Sequence, residues 1–271
     1  MVRSYKEISG IISFIQYVYY FFEKGADIYM KIFKIIRQVL ILAMVAVICS
    51  GFSIVWKGYN IYLDAVEAVS LEEKAASIQT KENYTEYEQL PQVYVEAVIS
   101  VEDKRFFRHI GLDPIAISRA VLHDLQAGAY VEGGSTITQQ LAKNMYFSQE
   151  KQLTRKVAEV FVALDLEKTF SKEEIFELYV NSIYFGDGYY DVCSASVGYF
   201  GKEPGDMTEY ESTLLAGIPN APSRYAPTKN PELAARRQMQ VLRRMEACGY
   251  FSEEEAETVE ETVEAQLMLI H

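Results

Sequence analysis

An uncharged run near the amino terminus constrains this chain more than any other feature. Residues 39–56 read VLILAMVAVICSGFSIVW and contain no charged side chain. A helix needs ~17 to 25 apolar residues to cross a bilayer, so we predict a transmembrane helix over 39–56. A cleaved signal peptide is the alternative, but the run starts late and its small-residue cleavage signal is weak.

Charges on the two sides of this run predict its orientation. Four basic residues lie within positions 24–38, just before the run, whereas the other flank has one lysine and then acids; the four are Lys24, Lys31, Lys34 and Arg37. By the positive-inside rule, segment 1–38 lies in the cytoplasm or at the interface, where the short aromatic stretch 11–22 is expected. The sequence therefore predicts a single-pass protein of the cytoplasmic membrane, with everything after residue 57 outside the cytoplasm.

Composition limits the classes of function. With 271 residues and a hydrophobic content of 49%, the chain can bury a sizeable core. Its net charge of −12 argues against nucleic acid as a partner, since an acidic protein has no general attraction for phosphate backbones. The three cysteines show neither metal-ligand spacing nor a disulfide framework.

Helix signals dominate the rest of the chain. Residues 57–89 are predicted to form a helical stalk, and residues 90–271 one domain. Helix starts are indicated at Asp113-Pro114 and Asn230-Pro231, where proline takes the first helical position. Further starts fit the capping-box spacing, at Ser171, Thr208 and Ser252. The prediction is a mainly α domain.

The first candidate for chemistry is Glu102. It ends the apolar stretch 93–101, so a helix would bring its carboxylate from the core to the wall of a cleft. A glutamate shielded from water has a raised pKa and can accept a proton near neutral pH. Taken alone, the four charges from Glu102 to Arg105 also fit an ordinary solvated surface patch.

The second candidate is the polar loop that opens with Gly133-Gly134. Ser135 or Thr136 can cap the helix that follows, and a helix amino terminus offers N–H groups and a positive dipole to an anion. Lys143 would share a helical face with Thr136 and Gln140. Such loops more often only cap a helix, so this signal is weak by itself.

The third candidate lies on a predicted helix after residue 152. Its apolar residues, Val157, Val160, Phe161 and Leu164, predict the buried face, which leaves Arg155, Lys156 and Glu159 on other faces. In isolation, Arg155 and Glu159 would be a surface ion pair worth about 0.2 to 0.5 kcal/mol.

In this order, the segments resemble the peptidoglycan glycosyltransferases. The matching strings are EDKRFFRHIG at 102–111, GGSTITQQLAKN at 133–144, RKVAE at 155–159 and LYVNSIYFG at 178–186. The resemblance covers about residues 90–245 and implies a lysozyme-like, two-lobed helical fold. Asp191 stands where relatives usually have a glycine, which leaves the conformation of that loop open.

The resemblance also implies roles for individual residues. Glu102 matches the family's essential glutamate and Glu159 its second acid, supported by Asp103, Phe106 and His109. Arg236 and Arg237 are expected to be structural. Substrate contacts are implied for Ser135, Thr136, Gln139, Gln140, Lys143, Asn144, Lys151, Arg155 and Lys156.

The implied activity is polymerisation of lipid II into β-1,4-linked glycan strands with release of undecaprenyl pyrophosphate. No cofactor is required, although the resemblance allows Mg²⁺ or Mn²⁺ at the pyrophosphate, and cell-wall synthesis proteins are implied partners. The set of transpeptidase motifs, Ser-two-Lys with Ser-Asp-Asn and Lys-Thr-Gly, is not found after the anchor, which predicts a monofunctional enzyme. Two alternatives stay open: a glycan hydrolase using Glu102 and Glu159, and an inactive membrane scaffold.

Overall fold

The computed structural model describes residues 2–127, 134–147 and 152–270. Within those ranges the chain is helical, with short 3₁₀ turns and one isolated bridge between Gly186 and Tyr189 in place of any strand. The predicted mainly α class is confirmed.

The helices follow one another with short connections. In chain order they are α1 Val2–Ala68, α2 Leu71–Gln79, α3 Gln92–Glu102, α4 Pro114–Ala127, α5 Ile137–Tyr146, α6 Leu153–Thr169, α7 Lys172–Val180, α8 Val192–Phe200, α9 Glu209–Gly217, α10 Pro222–Tyr225, α11 Pro231–Cys248 and α12 Glu253–Ile270.

The chain divides into two compact units, Met1–Trp56 and Lys57–His271. Among the described residues, one helical segment is long and apolar enough to cross a membrane, Met30–Ala68. It contains the predicted span 39–56, and its large apolar side chains are exposed, as a lipid-facing surface requires. The chain therefore carries a candidate membrane anchor.

The second unit is built around two groups of packed helices. In one group α3 packs against α9 and α11, and α11 also packs against α12. In the other group α5 packs against both α6 and α7. Their shared core contains large side chains with essentially no exposed surface, including Tyr94, Phe106, Phe176 and Tyr179.

The segment predicted to be a stalk, 57–89, differs from that prediction. Leu71, Ala75 and Ile78 of α2 are buried in the core of the second unit. These residues recur at helical spacing, so α2 has one apolar face and gains stability by burying it. The segment is therefore part of the domain.

Local capping confirms the predicted helix starts. Ser171 and Thr208 each form a capping box with the glutamate three residues on, and Ser252 exchanges the same bonds with Glu255. Asp113 accepts the N–H groups of Ile115 and Ala116 in the first turn of α4. These caps satisfy N–H groups that a helix start leaves without intrahelical partners.

Asp191 also has a capping role. Its side chain accepts the backbone N–H of Ser194 at 2.6 Å and the Ser194 hydroxyl at 2.8 Å, at the start of α8. Its φ of −153° is extended backbone. The aspartate therefore stabilises α8 in a conformation that needs no glycine.

Candidate active site

Glu102 is the last residue of α3, and one of its carboxylate oxygens is held by Gln140. The Gln140 amide Nε2 donates to Glu102 Oε2 at 2.7 Å. The Tyr179 hydroxyl donates to Gln140 Oε1 at 3.3 Å, which turns the amide nitrogen toward the carboxylate. Glu102 Oε1 is shielded from solvent and has no hydrogen-bond partner among the described residues.

The protonation of Glu102 reflects a competition between burial and charge. Burial raises the pKa of the Glu102 carboxyl, while the Gln140 hydrogen bond and the positive charge of Arg237 lower it. The effect of burial is the larger one, so the pKa of Glu102 lies above the ordinary value for glutamate. A carboxylate in this state is a better proton acceptor than a solvated one.

Asp103 and His109 tie the end of α3 to the start of α5. His109 Nε2 lies 2.9 Å from Asp103 Oδ2, which also accepts the backbone N–H of Ile137 at 3.0 Å. The Gly111 N–H donates to His109 Nδ1 at 3.1 Å, and the Thr136 hydroxyl donates to the Gly111 carbonyl at 2.7 Å. This network fixes Glu102 relative to the α5 amino terminus.

Phe106 fills the core beneath the network. Its side chain is fully buried, with its ring 6.3 Å from the His109 ring and 6.2 Å from that of Phe176. The Lys172 ammonium lies 4.4 Å from the Phe106 ring centroid. Phe106 and His109 thus support the site by packing and hydrogen bonding.

Basic side chains and Glu159 form a cluster between α5 and α6. Lys156 Nζ donates to Ser135 Oγ at 2.8 Å and to Glu159 Oε2 at 2.9 Å, and Arg155 Nε lies 2.9 Å from Glu159 Oε1. Burial lowers the pKa of Lys143, while the negative charge of Glu159 opposes that effect. Glu159 therefore holds a group of cations together.

The buried face of α6 differs from the predicted one. Glu159 itself is buried, on the face formed by Ala158, Val162, Ala163 and Leu166. The predicted apolar residues are only partly buried, and Val157 and Phe161 instead face α1. α6 therefore packs on more than one side. Ala158 and Ala163 are small and allow close approach of other helices on the face where Glu159 contacts its cationic partners.

Glu102 opens into a cavity of about 530 Å³. Three walls surround it: the α3–α4 region, the start of α5, and α11 with the turn before α10. Its lining residues are Ser100, Val101, Glu102, Asp103, Lys104, Asp113, Ala116, Arg119, Gly134, Ser135, Thr136, Gln140, Lys143, Pro219, Asn220, Arg237, Gln240 and Arg244.

Six predicted site residues line this cavity: Glu102, Asp103, Ser135, Thr136, Gln140 and Lys143. Gln139 does not, because its side chain accepts the Thr136 N–H in the capping box of α5. Asn144 is exposed and also lies outside the lining. Successive helical residues point about 100° apart, so neighbours in one motif reach different surroundings. Gly133 and Lys151 lie outside the described residues.

Several lining residues were not among the predicted site residues, notably Arg119, Arg244 and Arg237, of which the last was expected to be structural. Arg237, Gln240 and Arg244 recur at intervals of three and four and share one face of α11. That periodicity was a usable signal, but the many nearby glutamates made ordinary surface ion pairs the simpler interpretation. Tyr179, a fully buried core residue, was not among the predicted site residues either, although its hydroxyl orients Gln140.

The chain matches known proteins over the region that contains this cavity. The family model described as transglycosylase matches residues 70–246. Penicillin-binding protein 1F of Bacillus subtilis (strain 168) is 46% identical over 172 residues, which are 64% of this chain and 24% of that protein. Penicillin-binding protein 1A of Aquifex aeolicus (strain VF5) is 44% identical over 177 residues, 65% of this chain and 24% of that protein.

A crystal structure of penicillin-binding protein 1A from Haemophilus influenzae matches 65% of this chain and 17% of that one, with 22% identity and a TM-score of 0.40. The chain spans about a quarter of the length of the curated relatives. The family match begins at residue 70, at the start of α2, and contains Glu102, Gln140, Lys143 and Glu159. This chain belongs to the transglycosylase family.

Proposed function

We propose that this protein is a peptidoglycan glycosyltransferase that polymerises lipid II into β-1,4-linked glycan at the outer surface of the cytoplasmic membrane. One observation carries the proposal. The shielded carboxylate of Glu102 shares a cavity with Lys143; one of its oxygens is held by Gln140, and the other has no hydrogen-bond partner in the part of the chain that the structure describes. A base and a cation are the two groups that this reaction needs.

Each group has one task in the proposed step. Glu102 removes the proton from the 4-hydroxyl of the acceptor's N-acetylglucosamine. The oxygen attacks C1 of the donor's N-acetylmuramyl unit from the face opposite the phosphate, so the configuration at C1 inverts. As the new C1–O bond forms, the bond to pyrophosphate breaks, and undecaprenyl pyrophosphate leaves with the electron pair.

Cations around Ser135 favour this leaving group. Lys143 lines the cavity, and Lys156 reaches Ser135 from α6. Positive charges fixed in place before the reaction stabilise the negative charge that develops on the pyrophosphate. Glu159, paired with Arg155 and Lys156, positions these cations.

A divalent cation remains a prediction. Among the described residues, no group of three or more His, Cys, Asp or Glu side chains is placed to hold a metal ion. Asp103, the carboxylate beside Glu102, is occupied by His109 and the Ile137 N–H. These residues do not fit a protein cage for Mg²⁺ or Mn²⁺, and a cation that assists would be held chiefly by substrate oxygens.

The test is gel-resolved polymerisation of labelled lipid II by the detergent-solubilised protein. We expect lysozyme-sensitive ladders from the wild type, and at least a hundredfold loss in Glu102→Gln, because general-base catalysis contributes about 10² to 10⁴ in rate. Glu96→Gln is the matched control: Glu96 lies on the same helix, accepts a hydrogen bond from Gln92 and does not line the cavity, so the variant should retain the wild-type rate.

Two other outcomes would overturn the proposal. If the wild type shortens preformed glycan and makes none, the protein is a hydrolase of the same fold. If the folded wild type neither makes nor cuts glycan, it is a membrane scaffold. A Glu102→Gln variant as active as the wild type would remove Glu102 from the role of base.

A further inference from the structure

Arg237 stands on the wall of the cavity contributed by α11, far from Glu102 in the chain. Both side chains line the same cavity. Its neighbour Arg236 is exposed and does not line it. Arg237 lines the cavity and Arg236 is exposed, although the two have the same chemistry and lie on the same helix. Arg236 is therefore a suitable control for substitutions of Arg237.

The structure gives Arg237 a defined place. Its Nε donates to the Gly217 carbonyl at 3.3 Å, its Nη1 donates to Gln240 Oε1 at 3.1 Å, and its guanidinium lies 6.0 Å from the Tyr225 ring centroid. Such contacts with a carbonyl, an amide and an aromatic face hold a planar guanidinium better than an ammonium.

Gly217 makes room for the arginine stem. A Cβ on Gly217 would lie 3.0 Å from Arg237 Cγ and 3.4 Å from Val241 Cγ2. A larger residue at this position, at the end of α9, would therefore press on the stem and displace the guanidinium. The close approach between α9 and α11 is part of what sets the position of the charge.

We infer that Arg237 is a positioning residue for the base: it supplies a fixed positive charge on the α11 wall that keeps Glu102 ionised for the acceptor hydroxyl. The inference rests on the proposed function of Glu102. A carboxylate that is shielded from water needs a nearby positive charge to remain ionised. That charge must not form a salt bridge with the carboxylate, because a salt bridge would occupy the oxygen that accepts the proton.

Other charged groups around Glu102 are less suited to this task. Those lining the cavity are Asp103, Lys104, Asp113, Arg119, Lys143 and Arg244. Asp103 and Asp113 are acids paired with His109 and Arg105, so they supply no positive charge, and the side chains of Lys104, Arg119 and Arg244 are exposed. Among charged side chains, Arg237 lowers the pKa of Glu102 most, ahead of Lys143, which the leaving group also requires.

The inference can be tested without substrate. Carbodiimides react with protonated carboxyl groups, so the pH dependence of Glu102 labelling, read by mass spectrometry of the full chain in detergent, follows its titration. In Arg237→Met, which keeps the apolar stem beside Gly217, we expect the midpoint to move to higher pH. Arg237→Lys keeps a positive charge, so its Glu102 midpoint should lie closer to that of the wild type. The Glu102 midpoint in Arg236→Met should equal that of the wild type.

Polymerisation gives the second readout. On the acidic side of the pH profile, kcat/KM of Arg237→Met should fall roughly tenfold relative to wild type, and recover as pH rises, since one opposite charge is lost beside the base. A residue that only packs α9 against α11 would lower activity equally at all pH values. Melting temperatures identify any misfolded variant, in which case Arg237→Gln replaces Arg237→Met.

The two proposals fail in different ways. If the Glu102 midpoint does not shift in folded Arg237→Met or Arg237→Gln, the role of Arg237 is overturned, whether or not the wild type makes glycan. An equal shift in Arg236→Met also overturns it, because a general loss of charge would then explain the effect. A wild type that makes no glycan overturns the proposed function and leaves the labelling result standing.

Discussion

At the residue scale, the candidate site depends on the carboxylate of Glu102, whose charged form is disfavoured by burial. Glu102 is held by one hydrogen bond from Gln140 and is otherwise shielded, and burial raises its pKa. A folded pKa above the unfolded value means that the native state binds the proton more tightly. The contribution of this proton to stability is therefore fully present below about pH 4.3, the ordinary pKa of glutamate. It is lost as the pH rises through the folded pKa of Glu102.

This sign leads to a prediction about stability. Glu102→Gln keeps an oxygen to accept the Gln140 bond and removes the buried charge, so we expect its melting temperature at pH 7 to exceed that of the wild type by a few degrees. The difference should shrink as the pH approaches 4.5. Calorimetry of both proteins in the same detergent measures it, with Glu96→Gln as control. A less stable Glu102→Gln at pH 7 would contradict this account.

At the element scale, α6 joins the site to the helix that continues from the anchor segment. One side of α6 carries Glu159, and another side meets Gly58 through Val157 and Thr154. A Cβ on Gly58 would lie 2.5 Å from Val157 Cβ and 2.7 Å from the Thr154 carbonyl oxygen. Glycine thus permits the close crossing of α1 and α6.

Gly58→Ala should therefore disturb this crossing. We expect a loss of about 1 to 3 kcal/mol in stability, as for overpacking of a tight core. A shift of α6 would also lower the rate of polymerisation through Lys156 and Glu159. Gly51→Ala is the matched control, since its Cβ would meet nothing within 4 Å. Thermal unfolding and lipid II assays on both variants give the answer, and equal behaviour of the two would refute the role of Gly58.

At the scale of the whole molecule, the candidate anchor suits the proposed lipid-linked substrate, which would stay in the membrane. Basic residues precede the apolar run, and the unit that contains the cavity follows it. We predict that the amino terminus is cytoplasmic and that the second unit lies outside. In spheroplasts, protease should remove an epitope placed after residue 271 and spare one placed before residue 1. Lysis should expose both epitopes, and the reverse pattern in intact spheroplasts would show the opposite topology.

The sequence alone predicted the features that depend on nearby residues. The apolar run, the capping boxes and the proline helix starts each depend on residues within a few positions, so their chemistry can be recognised without knowing the fold. Glu102, Gln140 and Lys143 were found in the same way, as parts of short motifs that bring them to the ends or faces of helices. The mainly α class followed from these local signals.

Only the tertiary structure decided how distant elements meet. It packed α2 into the core rather than a stalk, buried Glu159 on the closely packed face of α6, and brought Arg237 into the cavity of Glu102. Gln139 and Gln140 are adjacent in sequence, yet one caps a helix and the other holds the Glu102 carboxylate. Such placements depend on which faces pack together, and packing is a property of the whole core that local spacing does not contain.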